Sequence, residues 1–476
     1  MTVKRECAIL ILDLYGWQKK TGQEMGDTVQ VILKPNSAVM HILGKAKASA
    51  SGYRLMTYCV EKKVSEGVLL FHVLTREMLL LSWQEHEDML ESAYLREHWF
   101  VVPQETDDKA LTGLARWALA SMRKKPKYIT SYTILTTTDC NARCFYCYEK
   151  GGAKITMSDK TARDTAAYIK AHCGGKRVRF SWFGGEPMLN TAAIDRICGE
   201  LCDAGIQYVS TMTSNAYLFN EETIRRAKEQ WHLGSIQITL DGTEDVYNRS
   251  KAYVCCEGSA YQVVMKNIDD LLSAGIKVSI RLNLGEHNVE DLNRLAGVLA
   301  QRFAGKRGIS VYVRLLYNIS QKAQQKDMYD ALFALEDRLA ALKLLSPGIS
   351  ETTQDLRLTY CMVESDSTAL VMPDGRLGLC EHYPDCGFFG HVCSQERDEA
   401  VIAEWRKRYD EQAECAGCFY YPACVRLKKC SALGACTQYW RMDKLRVVQR
   451  SMEHAYRRVL RLTKEKEEKE AQRPSC

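Results

Sequence analysis

Apolar and polar positions along the chain follow two different periods. Between about residues 130 and 315, six short runs rich in β-branched and aromatic residues begin near Tyr132, Val178, Gln207, Ser235, Lys277 and Ile309. Stretches of helical period separate them, among them Ala260 to Ala274 and Val289 to Phe303. Strand and helix repeated in this way predict a parallel sheet, since a parallel neighbour is reached only by a crossover of one hand. With both faces covered, such a sheet closes into a barrel or partial barrel, and chemistry belongs at the carboxyl ends of its strands.

Ahead of this region, Tyr53 to Val60 alternates and Val68 to Val73 is an apolar run after the turn Ser65-Glu66-Gly67. Met78 to Leu81 reads as a third strand, and Ser82-x-x-Glu85 is a capping box opening a helix to about Ala93. Three strands and then helices, ending at Phe100-Val101-Val102-Pro103, predict a winged-helix-like domain over 53–125. Residues 1–52 stay unassigned, 126–325 form the barrel, 326–355 a bridging helical region, 356–440 a cysteine-rich domain, and 441–476 a helix with a charged tail. Pro103 to Lys127 and Gln321 to Thr353 read as connectors. Leu445, Val448, Met452, Tyr456 and Val459 recur at helical spacing and predict a stripe that docks on the barrel.

Candidate chemistry sharpens the picture at the strand ends. After the first barrel strand, Cys140, Cys144 and Cys147 stand at the spacing Cys-x3-Cys-x2-Cys. Three thiolates leave the fourth iron of a four-iron four-sulfur cluster open to a small chelating ligand; a zinc loop or three free thiols are the other readings. The second strand runs into Trp182-Phe183-Gly184-Gly185-Glu186-Pro187. Its glycines let backbone approach a ligand, its carboxylate can accept from an ammonium, and its proline stiffens the exit.

Together these segments resemble the signature motifs of radical S-adenosylmethionine enzymes. The resemblance implies that Cys140, Cys144 and Cys147 hold the cluster, that Gly184, Gly185, Glu186 and Pro187 hold the amino group of S-adenosylmethionine, and that its cleavage yields a 5'-deoxyadenosyl radical. It also implies cofactor contacts for Ser214 and Asn215, where Ala216 replaces the usual glycine, and for Thr239, Asp241 and Asn283. Arg281 and Asn283 are alternate residues of one strand and share a face; buried structural polar groups are the other reading of both.

Nine cysteines then fall between Cys361 and Cys436. Disulfides belong to oxidising compartments, and the apolar run Ala8 to Leu12 is too short for a secretory signal, so the chain reads as cytoplasmic and its cysteines as metal ligands. Gly375-x4-Cys380 followed by Cys415-x2-Cys418-x5-Cys424 resembles the SPASM extension of peptide-modifying radical enzymes, which carries two further clusters. This implies that Cys415, Cys418, Cys424 and Cys436 hold one, and that Cys361, Cys380 and Cys430 contribute to the other. Its fourth ligand is Cys386, Cys393 or an open position, and five residues separate Cys424 from Cys430 where the family has three. Zinc is again the other reading.

Glu381, beside Cys380, is the candidate catalytic base, because oxidising a side chain releases a proton as well as an electron. A surface charge or a loop hydrogen bond is its bland alternative. The 53–125 domain resembles leader-recognition elements of peptide maturases, which add an extended leader as a strand.

At 476 residues the chain has room for two or three domains, and a formal charge of +6 does not call for nucleic acid. No stretch approaches a membrane-spanning length. The expected fold is α/β: a partial (β/α)6 TIM-like radical S-adenosylmethionine barrel, with a winged-helix-like N-terminal domain and a cysteine-rich SPASM domain. The resemblance implies an oxidoreductase that modifies a ribosomally made precursor peptide bearing a leader, by a thioether or other side-chain cross-link. It would use S-adenosylmethionine, three four-iron four-sulfur clusters and a low-potential donor such as flavodoxin or ferredoxin. A sulfatase-type maturase that makes formylglycine from Cys or Ser is the alternative, followed by a non-enzymatic iron–sulfur electron carrier.

Overall fold

The computed structural model describes residues 29–45, 51–254, 256–316, 325–346, 352–353, 356, 361–381, 387–394, 396–424, 426–430 and 436–471. Its N-terminal unit runs β1 (Gln30–Leu33), α1 (Ser37–Leu43), β2 (Tyr53–Leu55), β3 (Cys59–Val64), β4 (Gly67–His72), β5 (Met78–Leu81), α2 (Trp83–Glu87), α3 (Ala93–Glu97), β6 (Val101–Pro103) and α4 (Asp108–Met122). Strands β1, β5, β4 and β3 form an antiparallel sheet in that order, and β2 pairs with β6.

Local chemistry explains where these elements depart from expectation. The run Tyr53 to Val60 breaks into two strands, with Met56 and Tyr58 turned into the core and Thr57 N donating to Asp108 Oδ2 at 2.9 Å. The capping box at Ser82 is present, with Glu85 N on Ser82 Oγ at 3.2 Å and Ser82 N on Glu85 Oε2 at 2.7 Å. Its helix nevertheless ends at Glu87, and Ser92 caps a new one. Gly67 is required where it stands: its φ is +152°, and a Cβ there would lie 2.0 Å from Leu81 O. The expected connector 103–127 contains the 15-residue α4, started by Asp107, whose side chain accepts from Ala110 N.

The central unit runs β7 (Ser131–Thr137), α5 (Asp159–His172), β8 (Val178–Gly184), α6 (Thr191–Asp203), β9 (Tyr208–Ser214), α7 (Glu221–Glu229), β10 (Leu233–Leu240), α8 (Glu244–Lys251), α9 (Ala260–Ser273), β11 (Lys277–Leu284), α10 (Val289–Phe303), β12 (Ile309–Leu315) and α11 (Gln325–Ala341). Strands β7 to β12 pair parallel in chain order, as the periods predict. Ile134, Trp182, Met212, Ile238, Ile280 and Val311 feed one core between sheet and helices, each full burial contributing on the order of 1.5–3 kcal/mol.

The sheet continues past β7. β13 (Thr368–Val371) pairs parallel with β7, and β14 (Arg376–Gly378) and β15 (Phe388–His391) follow antiparallel, giving nine strands. The cysteine-rich segment, expected as a domain from 356, is thus joined to the barrel by backbone hydrogen bonds. It goes on through α12 (Glu399–Trp405) into α13 (Gln438–Ala471).

The stripe on α13 docks elsewhere than expected. Val448, Met452, Tyr456 and Val459 share a core with Ile32, Tyr58 and Val60 of the N-terminal unit, not with the barrel strands. Gln449 Nε2 donates to Glu61 O at 2.9 Å and Lys62 pairs with Glu453 at 3.0 Å, so α13 covers the outer edge of β3. β1 fills the outer edge of β5. β1 is therefore the other edge strand of this sheet, and no described strand pairs with its outer side. No described helix is long and apolar enough to cross a membrane.

Candidate active site

The cysteine loop leaves β7 after Thr137, and the end of β8 is sewn to it. Gly185 N donates to Thr137 O at 3.1 Å and Glu186 N to Asp139 O at 2.9 Å. A Cβ at residue 184 would lie 2.1 Å from Thr137 O, and one at residue 185 would lie 2.2 Å from Asp139 O. The Gly-Gly pair thus permits two backbones to touch. Pro187 opens the short turn that follows, and its carbonyl accepts from Thr136 Oγ1 at 3.2 Å.

Glu186 is buried. Its Oε1 accepts from Ser214 Oγ at 2.8 Å and Met188 N at 3.0 Å, and its Oε2 from Asn215 N at 2.8 Å. Burial pushes the carboxyl up, and these donors offset part of that rise. Ser214 and Asn215 thus meet Glu186, and Asn215 Nδ2 reaches back to Asn141 Oδ1 in the cysteine loop at 2.7 Å.

A second network has a member that sequence reading missed. Lys251, the last residue of α8, is buried with its Nζ 3.1 Å from Asp241 Oδ2, 2.8 Å from Thr239 Oγ1 and 3.0 Å from Tyr146 OH. Tyr146 OH donates to Asp241 Oδ2 at 2.6 Å, and Asn283 Nδ2 donates to Asp241 Oδ1 at 3.0 Å. Burial alone would lower the lysine, but Asp241, Tyr146 and Cys144 outweigh it and hold the ammonium well above its usual range. Thr239 and Asp241 thus converge on a lysine, and Asn283 on Asp241. Lys251 O also accepts from Arg143 N at 2.8 Å, and Asn141 O from Val254 N at 2.8 Å, so the turn after α8 clamps the cysteine loop. A lone lysine at a helix end reads as solvated charge, so nothing in the pattern marked it. Arg281 Nε, on the same strand as Asn283, is buried without a hydrogen-bond partner.

Cys140, Cys144 and Cys147 lie close enough to influence one another, and burial pushes the Cys140 thiol up to about 12. Among the described residues no three His, Cys, Asp or Glu side chains converge tightly enough for a single metal ion. A tetrahedral zinc, with Zn–S near 2.3 Å, would gather its sulfurs to within about 4 Å of each other. A cubane cluster takes one thiolate per iron, and the three thiols of this loop would supply three of the four.

Residues 134–299 match the model of the Radical SAM superfamily. The chain carries a radical SAM domain. It is 22% identical over 183 residues to the Fe-coproporphyrin III synthase of Methanosarcina barkeri, covering 38% of this chain and 42% of that protein. It is 26% identical over 153 residues to a probable GTP 3',8-cyclase of Methanococcus maripaludis, covering 31% of this chain and 47% of that protein. The chain thus spans less than half the length of these two curated relatives. The solved structure of anSMEcpe with bound AdoMet and Cp18Cys peptide aligns with a TM-score of 0.52 at 16% identity, covering 71% of this chain and 99% of that one. That likeness is one of fold.

The radical SAM domain contains both networks and the three-cysteine loop; the later cysteines lie outside it. Cys415, Cys418, Cys424 and Cys436 line one cavity of about 370 Å³. Arg116 of α4 fixes their loop from the N-terminal unit, donating to Tyr421 O at 2.8 Å and Pro422 O at 2.9 Å. Cys361 lies within electrostatic reach of Cys430. Cys393 is exposed, and its thiol donates to Asp164 Oδ2 of α5 at 3.2 Å. Cys386 lies outside the described residues.

Where the radical SAM domain meets the later cysteines stands Tyr148. Its hydroxyl is raised first by burial and then by Glu149, Glu381, Cys147 and Cys380, and it donates to Glu381 O at 3.5 Å. Thr133 Oγ1 donates to Glu381 Oε2 at 3.5 Å, and burial pushes the Glu381 carboxyl up. Glu149, unmarked in the sequence, is pushed up to about 7 by burial.

Proposed function

We propose that this chain is a radical SAM enzyme that oxidises a ribosomally made precursor peptide and joins two of its side chains, by a thioether or another cross-link. The meeting of the two cysteine loops at Tyr148 and Glu381 carries this reading. A peptide side chain placed there would have the open-iron loop on one side and Cys380 on the other, with a carboxylate at hand.

In this reading Cys140, Cys144 and Cys147 hold the cluster that binds S-adenosylmethionine, and the bound pair supplies the 5'-deoxyadenosyl radical. Glu186, steadied by Ser214 and Asn215, accepts from the ammonium of the methionyl group. Gly184 and Gly185 keep the cradle free of side chains. Lys251, through Tyr146 and the Arg143 amide, holds the loop in shape, with Thr239, Asp241 and Asn283 as its anchor. Cys415, Cys418, Cys424 and Cys436 hold one auxiliary cluster, and Cys361, Cys380 and Cys430 contribute to another. Glu381 takes the proton that leaves the oxidised side chain. The peptide is expected to carry a leader, which the N-terminal unit would bind as an added strand.

Co-expression with a short peptide found encoded beside this chain, followed by mass spectrometry, tests the reading. Loss of two hydrogens from the peptide is the expected result, and Glu381→Gln should abolish that loss while 5'-deoxyadenosine still forms. An iron-loaded protein that yields neither 5'-deoxyadenosine nor a changed peptide would sink it. A formylglycine product would favour the sulfatase-type alternative.

A further inference from the structure

The outer face of α4 is an unusual surface. Leu114, Trp117 and Met122 are 47%, 69% and 64% exposed. Ala110, Gly113 and Ala120 are also exposed and complete a stripe at helical spacing without a charge in it. A helix face turned to solvent ordinarily carries charge. No Asp or Glu occurs between Asp108 and Asp139, whereas Lys109, Arg116, Arg123, Lys124, Lys125 and Lys127 all fall in that span. The apolar stripe therefore ends in an exposed basic run.

This face is also a wall of the four-cysteine cavity, because Trp117 and Ala120 line it. Arg408, Arg426 and Arg441 join Arg116 around the same cavity, facing Asp410, Glu411 and Glu414. Two of those acids are engaged within the chain, Glu411 with Lys109 and Tyr421 and Asp410 with Lys428 at 3.0 Å, and so is Arg408, with Glu364 at 2.7 Å. The surface left to a visitor is apolar at its centre and positive at one end, where Arg123, Lys124, Lys125 and Lys127 are exposed.

We infer that the α4 face docks an acidic one-electron carrier protein, which exchanges an electron with the centre held by Cys415, Cys418, Cys424 and Cys436. The inference rests on reading those four cysteines as cluster ligands. Transient redox encounters bury little area, below about 1,200 Å², and depend on charge for steering. A small apolar patch beside a basic run supplies both, and its position shortens the electron's path. The reduced four-cysteine centre gives one electron to the oxidised carrier, so the centre is oxidised and the carrier reduced by one electron; no bond between them is made or broken.

Calorimetric titration of the iron-loaded enzyme with oxidised flavodoxin, an acidic carrier, tests the docking. Affinity should fall as salt rises, and the double variant Leu114→Ser/Lys124→Glu should bind at least tenfold more weakly. Its iron content and its dithionite-driven 5'-deoxyadenosine yield should match those of the parent. Equal affinity in parent and variant would overturn the inference. So would a variant that loses precursor peptide or self-association while flavodoxin affinity stays the same. Iron content unchanged by Cys418→Ala would remove the cluster reading, and the inference with it, whatever the titration shows.

Discussion

At the scale of single residues, Lys251 and Gly185 carry the sharpest consequences. Lys251→Met leaves the buried Asp241 carboxylate without its cation while Tyr146 and Asn283 still point at it. Breaking a buried pair from one side costs about 3–5 kcal/mol, so chemical denaturation should show a loss of that order, with Lys251→Arg recovering part of it. Gly185→Ala would drive a Cβ into Asp139 O, 2.2 Å away, forcing β8 and the cysteine loop apart. Equilibrium dialysis should then show S-adenosylmethionine affinity reduced at least tenfold. Gly185 was legible in the sequence because its neighbours spell a motif. Lys251 was not, since its role depends on the path of α8, which brings it back to Tyr146, 105 residues earlier in the chain, and to Thr239.

At the scale of elements, the N-terminal sheet holds a titrating group of its own. His72, in β4, is buried with Nε2 2.9 Å from Trp99 O, while its Nδ1 accepts from Leu74 N and Thr75 N, both at 3.2 Å. The neutral ring uses both nitrogens, and a proton on Nδ1 would break two bonds. Burial is the chief cause that lowers its pKa to about 4 from 6.5. The folded state therefore binds fewer protons than the unfolded one below pH 6.5, so this contribution to stability is intact above 6.5 and lost as pH falls toward 4. The slope is up to about 1.4 kcal/mol per pH unit. Urea midpoints measured from pH 7 to 5 should fall accordingly, and His72→Gln, less stable overall, should show a flatter profile. Long periodic elements such as β7 to β12 and α10 were legible beforehand. The four-residue β1 and three-residue β14 were not, because so few positions cannot display a period.

At the scale of the whole molecule, the N-terminal unit and the cysteine-rich segment are one structure. Arg116 reaches from α4 to the carbonyls of Tyr421 and Pro422, and Tyr58 stacks on Tyr421 with ring centroids 6.3 Å apart. Arg116→Ala should loosen the loop bearing Cys418 and Cys424 and lower iron content by about four atoms per chain, one cluster's worth. Iron and sulfide analysis after anaerobic reconstitution would check this; full iron content would show that the loop holds without the arginine. The sequence alone determined the alternation that makes a parallel sheet and the ligand-like spacings at its strand ends, because both are local patterns of neighbouring residues. Tertiary structure decided what lies far apart in the chain. It placed Lys251 under the cysteine loop, carried the cysteine-rich segment onto β7, turned the stripe of α13 toward the N-terminal sheet and brought Cys436 into one cavity with Cys415. Each of these depends on which surfaces bury one another, and that choice belongs to the packed chain and to no single segment of it.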